Sequence, residues 1–471
     1  MVARHALNQL WRAARLPPLP LPAATLTGTD PVVPSSFAVG AAAQSAVAAA
    51  ALAAAQIGQL RNGLQQTIQV DMREAALEAF CRFSVDGKTP ELWDKLAGLY
   101  RCKSGGEAGP WVRVHTNFAH HRDALLRLLG LPTGGQVTRE QVAQSLLLWD
   151  ALELEEAAAA CGALAAAYRT ENEWLAHPQS AALATLEVVD IQKIGDAPAL
   201  DWPKIQSAER PLSKLRVLEL TRILAGPVAG RTLAAYGAEV MLVNSPHLPN
   251  IDAIMDTSRG KLSALADLRQ AADRAAFDSA LASAHVFIQG YRPGSLAHLG
   301  CSAEAIAQKR PGIVVVSLSA YGETGPWANR RGFDSLVQTA CGLNHQEACA
   351  FASLDTPHAT GPRALPMQIL DMASGFLMAF GAQAALLRQQ HEGGSWHVRV
   401  SLARTAQWLR ELGRVEGGFS APQPDFSGLM ETSRSGYGEL CASRHSAYFS
   451  HTPAGWDKPS MPPGSHLLRW S

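Results

Sequence analysis

LRVLELTRILAGPVAGRTLAAYGAEVMLVN fills residues 215–244, and the fold turns on how it is read. Its ends, LRVLEL and EVMLVN, are short apolar runs of strand length, while VAGRTLAAYG (228–237) between them has helical composition. A strand, a helix and a second strand in about thirty residues make a parallel pair, since parallel neighbours need a crossover connection. The same alternation continues through QAADRAAFDSALASA (270–284), HVFIQG (285–290) and GIVVVSLS (312–319). Two long apolar helical patterns then lead to a further strand, WHVRVS (396–401). Residues 213–415 are therefore expected to form an α/β domain around a Rossmann-like parallel sheet. Ligands of open parallel sheets sit at the carboxyl ends of the strands, which selects the loops TRILAGP (221–227), QGYRPG (289–294) and SAYGETG (319–325).

The first 212 residues read differently. They are Ala-rich and mostly helical, with one β-containing patch at GPWVRVHTNF (109–118), and a smaller α+β domain is expected over 81–180. Residues 181–212, around IGDAPALDWPK (194–204), read as a linker, and 416–471 as a C-terminal tail. The two halves share a passage. ALAAAQIGQLRNGLQQTIQVDMREAAL (51–77) parallels GAQAALLRQQHEGGSWHVRVSLARTAQ (381–407): helix, polar turn, alternating strand, helix. Residues 1–80 are thus a helical segment containing a degenerate partial copy of the large domain. Residues 31–70 contain no Asp or Glu, so the first copy lacks any counterpart of Asp371.

Lys plus Arg and Asp plus Glu stand at 41 each among 471 residues, which removes the global cationic field that would gather nucleic acid or an anionic membrane. Seven scattered cysteines without CxxC suggest neither a disulfide framework nor a thiolate zinc site, and point to a reducing, cytoplasmic location. LWRAARLPPLPLP (10–22) reads as a short helix stopped by prolines, with a transit peptide as the alternative. The Ala-rich stretch 41–55 is shorter than the roughly 20 apolar residues of a membrane span and is expected as a buried helix.

GxGxxG, GxSxG, HExxH and GxxxxGK[ST] are all missing, which sets aside the commonest dinucleotide, hydrolase, zincin and nucleotide-triphosphate sites. His115, His120 and His121 lack acidic or thiolate partners at ligand spacing and read as solvated or capping histidines. Arg222, Arg259, Lys261, Arg269 and Arg292 fall in or beside the sheet-end loops, where they could meet phosphates. ALPMQILDMASGFLMAFG (364–381) carries one ionisable side chain, Asp371. It reads either as a helix N-cap or as a nucleophile, and a helix N-terminus suits both.

In order, LRVLELTRILAGPVAGRTLAAYGAEVMLVN, TSRGKLSALADLR, HVFIQGYRPGSLAHLG, SLSAYGETGPW, RGFDSLVQTACGL and MQILDMASG resemble the family III CoA-transferases, the CaiB/BaiF and formyl-CoA transferase group. The resemblance covers 213 to about 410, and the chain looks like a rearranged or fused member. It implies transfer of CoA between an acyl-CoA and a small carboxylic acid, with Asp371 as nucleophile. CoA would then be a substrate, with no permanently bound cofactor and no metal. The family's CoA-binding positions fall on Leu224 and Ala225; on Ala266, Asp267, Leu268 and Arg269; on Gly290, Tyr291 and Arg292; and on Ser319, Ala320, Tyr321 and Gly322. Ser245 and His298 stand where formyl-CoA transferase has arginines, and Gly105 and Gly106 are the nearest approach to its four-glycine run. The related 2-methylacyl-CoA racemases read GHD where this chain has Gly332, Phe333 and Asp334, and phenylalanine accepts no proton. A racemase-like enzyme and a non-catalytic CoA-binding scaffold are the alternatives. A homodimer is the expected assembly, or a pseudo-dimeric monomer if the partial copy supplies the missing contact.

Overall fold

The computed structural model describes residues 1–18, 23–353 and 361–470; the prolines of the run at 19–22 lie outside the described residues. An Ala-rich helix, α1 (Val39–Asn62), is buried along nearly its whole length. A half-exposed helix, α2 (Ala119–Leu128), follows the central strand, 111–114, of a three-stranded antiparallel sheet. The large sheet takes its strands from β1 (Asp190–Gly195), β2 (Arg216–Leu220), β3 (Glu239–Asn244), β4 (Lys261–Leu265), β5 (Val286–Gln289), β6 (Val314–Ser319) and β7 (Ser395–Ser401). Helix α3 (Ala225–Ala235) crosses from β2 to β3, and α4 (Asp334–Ala340) and α5 (Ile369–Glu392) lie between β6 and β7.

The result is a mixed α/β fold. Strand order is β4-β3-β2-β5-β6-β7-β1, all parallel except β1, which pairs antiparallel with β7. Val314, Val315 and Val316 are all buried, so both faces of β6 are covered and its run is continuously apolar. Strand β4 is a run the sequence did not single out, because Lys261 and Ser263 interrupt its apolar pattern. Both side chains are nevertheless buried, Lys261 against Glu219 (2.9 Å). Residues 190–195, inside the expected linker, form the edge strand β1, held to β7 by Arg399 donating to Asp190 (2.9 Å).

Residues 83–167 carry the strands Gly98–Arg101, Trp111–Val114 and Ala165–Ala167 as one antiparallel sheet with its own apolar core. The shared passages have the same local form: helix α1, strand Ile68–Asp71 and helix Met72–Glu78 on one side; α5, β7 and helix Leu402–Glu411 on the other. Helices α1 and α5 pack against each other. Each is 24 residues long and apolar enough to cross a membrane by length and composition, and each is buried, 94% and 100% over the most apolar window. The helix expected over 41–55 is therefore longer than its alanine run and lies in the core. The expected tail is also structured. Met430–Ser435 pairs with Gly438–Ser443, which pairs in turn with Phe83–Val85, and Ala447–Phe449 pairs antiparallel with Ile68–Asp71, so the chain's last strands close sheets begun by its first.

Candidate active site

Between β2 and β5 the connections diverge to opposite sides of the sheet, and a crevice opens at the carboxyl ends of the strands there. A cavity of about 310 Å³ occupies it. One wall is the sheet end, with Leu224 and Ala225 after β2, Gly290, Tyr291 and Arg292 after β5, and Ser319 and Ala320 after β6. The opposite wall is Phe118, His120 and His121 at the start of α2 with Arg331, Gly332 and Phe333 ahead of α4. Asp371 lines the same cavity and is 8% exposed.

Asp371 is not the cap of its helix. Gln368 is the N-cap residue and makes no side-chain cap bond; Asp371 stands in the first turn, and its own amide is the one that needs an acceptor. Asp334 provides it: the Asp371 N–H donates to Asp334 Oδ2 at 2.9 Å. Asp334 is held in turn by Gln338, whose Nε2 donates to Oδ1 (2.5 Å) and to the Met367 carbonyl (3.3 Å). The Gln338 Oε1 accepts from the Leu365 amide (3.1 Å) and from Asn344 (3.0 Å). One amide side chain thus pins the approach to α5 from both sides.

Two glycines bring the parts together. A Cβ at Gly375 would meet the Ala225 carbonyl oxygen at 2.6 Å, so α5 touches α3 at the loop after β2. A Cβ at Gly332 would meet Ala320 at 2.7 Å, so the Arg331–Phe333 segment rests on the loop after β6.

The carboxyl oxygens of Asp371 have no hydrogen-bond partner among the described residues, whereas Asp334 accepts from backbone and side-chain donors. Burial pushes the Asp371 pKa well above the usual carboxylate range, and the Asp334 charge pushes it further. Burial also raises Asp334, opposed by the amides of Asp371 and Leu370 and by Gln338. When the pair carries a single charge, those hydrogen bonds keep it on Asp334 and leave the proton on Asp371.

Seven of the sequence-selected CoA positions, Leu224, Ala225, Gly290, Tyr291, Arg292, Ser319 and Ala320, line the cavity with Asp371. Others lie elsewhere. Tyr321 is buried against Trp327 (centroids 4.9 Å), and Gly322 turns with φ +95° beside Leu183. In the loop after β4, Asp267 pairs with Arg269 (2.8 Å) and His247 (3.1 Å), and neither Ala266 nor Leu268 lines the cavity. Two of the candidate phosphate cations are structural: Arg259 pairs with Asp256 (2.5 Å) and Glu431 (3.0 Å), and Lys261 with Glu219. Two of the three histidines are corrected as well. His121 is buried and lines the cavity, and His115 is buried and stacks on Phe333 with centroids 4.1 Å apart, while His120 lines the cavity and is exposed, in keeping with the solvated reading. The sequence marked VHTNFAHHR and RGFD separately, 210 residues apart, and nothing in either showed that they meet.

Residues 212–428 match the family model described as CoA-transferase family III. This part of the chain is similar to the family III CoA-transferases. Within the matched segment lie the whole sheet-end wall, the Arg331–Phe333 loop and Asp371. An acetyl-coenzyme A transferase of Hypoxylon pulicicidum is 28% identical over 346 residues, 68% of this chain and 55% of that protein. A succinate–glutarate CoA-transferase of Agrobacterium fabrum is 30% identical over 211 residues, 41% of this chain and 51% of that protein. A crystal structure of a CaiB/BaiF family protein from Brucella suis covers 49% of this chain and 65% of its own at 25% identity, with a TM-score of 0.38. The chain spans 55% and 51% of the lengths of those two curated relatives.

Proposed function

We propose that the chain transfers CoA between an acyl-CoA thioester and a carboxylic acid, with Asp371 as the covalent nucleophile. The observation that carries this reading is a buried carboxylate without hydrogen bonds, exposed only to a cavity at the end of a parallel sheet. Counted from β2, the strand order reads 3-2-1-4-5-6 with an antiparallel edge, which supports the Rossmann-like reading of the sheet. CoA would lie along the sheet-end wall, with its thioester between Ala225 and Asp371.

In the reaction, an Asp371 oxygen bonds to the thioester carbonyl carbon and the C–S bond breaks, giving a mixed aspartyl anhydride and CoA thiolate. The thiolate attacks the aspartyl carbonyl, releases the first acid as its carboxylate, and leaves an aspartyl–CoA thioester. The acceptor carboxylate attacks that thioester to form a second anhydride, and the thiolate then captures the acceptor's carbonyl and frees Asp371. No net proton or electron is consumed, and each difficult exchange is split into two displacements. The first turn of α5 favours negative charge on Asp371 as attack begins.

Intact-mass spectrometry after incubation with acyl-CoA tests the reading. The expected result is a CoA adduct on the wild-type chain that is absent from Asp371→Asn. CoA binding with no adduct from any donor would leave a scaffold, and α-proton exchange in D₂O without transfer would indicate a racemase.

A further inference from the structure

The wall opposite the sheet end carries a free positive charge. The Arg331 guanidinium has no ion-pair or hydrogen-bond partner among the described residues, and neither has the guanidinium of Arg292, which reaches from the sheet-end side and lines both the main cavity and the small one adjoining it at 159–165. Arg330, beside them, is already paired with Glu156 (2.8 Å). Helix α2 starts at this wall: its N-cap is Phe118, without a side-chain cap bond, so the positive end of the helix lies at the cavity. On its first turn, His121 is 5% exposed, lines the cavity, and has no hydrogen-bond partner on either ring nitrogen among the described residues. His120 lies against it with centroids 4.0 Å apart. Burial lowers His121 to about 3, and His120, Arg331, His115 and Arg222 act in the same direction, so the ring is a neutral donor or acceptor in a cationic corner. Among the described residues, the one acidic side chain lining the main cavity is Asp371, and the proposed reaction needs it free.

We propose that His121 and Arg331, with the first turn of α2, bind a second carboxylate of the acid substrate, so that the acceptor is a dicarboxylic acid. This rests on the transfer reading: the reacting carboxylate must sit at Asp371, so an anion held on the opposite wall belongs to another group of the same molecule. The sheet-end wall is left to CoA. The buried imidazole and the unpaired guanidinium give the two kinds of donor a carboxylate takes, and the Phe118 and Phe333 rings flank the methylene chain between the two ends.

Calorimetric titration of the full chain with malonate, succinate and glutarate against propionate, butyrate and valerate tests this. At least one dicarboxylate is expected to bind 10-fold or more tightly than the monoacid of equal carbon number, with the difference lost in Arg331→Gln and reduced in His121→Gln, and with CoA affinity unchanged. Equal binding of diacids and monoacids overturns the proposal. Weaker CoA binding by Arg331→Gln also overturns it and assigns the corner to the phosphates of CoA. The titration uses no acyl-CoA, so an absent aspartyl adduct would sink the transfer chemistry while this result would still stand or fall separately.

Discussion

Two carboxylates one hydrogen bond apart through a backbone amide govern the behaviour of the site. In the proposed reaction Asp371 must be ionised to attack, yet its pKa is raised, so kcat/KM should climb with pH along a limb above the ordinary carboxylate range. Asp334→Asn keeps an oxygen for the Asp371 amide and removes the neighbouring charge. The pH–rate limb of that variant should move to lower pH by about a unit or more; an unmoved limb would mean that Asp334 does not tune Asp371. Stability carries the opposite sign. Both folded pKa values lie above the unfolded ones, so the pair's contribution is fully present at pH below about 4 and is lost as pH rises through the raised values. At pH 8, Asp371→Asn should therefore melt higher than wild type, by at least about 1 kcal/mol, since one pKa unit is worth ~1.4 kcal/mol. Thermal melts of both proteins at pH 5 and pH 8 measure it, and a difference that fails to grow with pH would count against the raised pKa. That Asp371 is a candidate was legible in its isolation within an apolar run, and the structure places it on the cavity. That Asp334 answers it was not, because 37 residues and a helix pair separate them in sequence.

Helix α5 positions Asp371, the proposed nucleophile, by lying close to α3, and the contact is a glycine. Gly375→Ala places a methyl group 2.6 Å from the Ala225 carbonyl, inside any real Cβ contact, and backbone cannot move aside as a side chain can. Overpacking of this kind costs about 1–3 kcal/mol. The variant should unfold at lower denaturant, and adduct formation should fall further than stability does, because Asp371 sits one turn before the displaced point. Equal, mild losses in both would show that the helix contact serves folding only. The apolar runs announced these helices, and the crossovers announced the sheet. What they could not announce was a strand interrupted by Lys261, whose ammonium is acceptable there only because Glu219 on β2 comes within 2.9 Å.

Across the whole molecule, the N-terminal segment read as a partial copy is built into the core of the segment that bears the cavity. Arg231 on α3 is fully buried between Asp256 and Glu78, and Glu78 ends the helix that closes the first copy. Ser446, from the last strands, donates its amide to Glu78 at 2.9 Å, and His445 Nδ1 lies 3.0 Å from it. Burial alone would raise the Glu78 pKa, but His445 and Arg231 hold it down to about 2. Arg231→Met removes the one cation shared by two buried carboxylates and should cost about 3–5 kcal/mol in chemical denaturation. A single cooperative transition is expected, and a separate early transition for residues 1–80 would contradict the integration seen here. The copies also differ at the site. Carried back ten residues, the shared register sets Ala41 opposite Asp371, and the Ala41 amide donates to Asp30 (3.0 Å) as the Asp371 amide does to Asp334. The anchoring carboxylate is present twice and the proposed nucleophile once, so intact mass should report one CoA per chain and never two.

The sequence by itself determined the α/β class, the loops that bear the cavity and the identity of its one unpartnered acid, because strand alternation, crossover length and an isolated charge are local patterns. Tertiary structure decided which carboxylate holds that acid, which cations are spent on buried ion pairs and which remain free, and that a histidine pair from residues 120–121 faces the aspartate. Those outcomes depend on distances between residues far apart in the chain, and a charge's role is fixed by what lies within a few ångströms of it once water has been excluded.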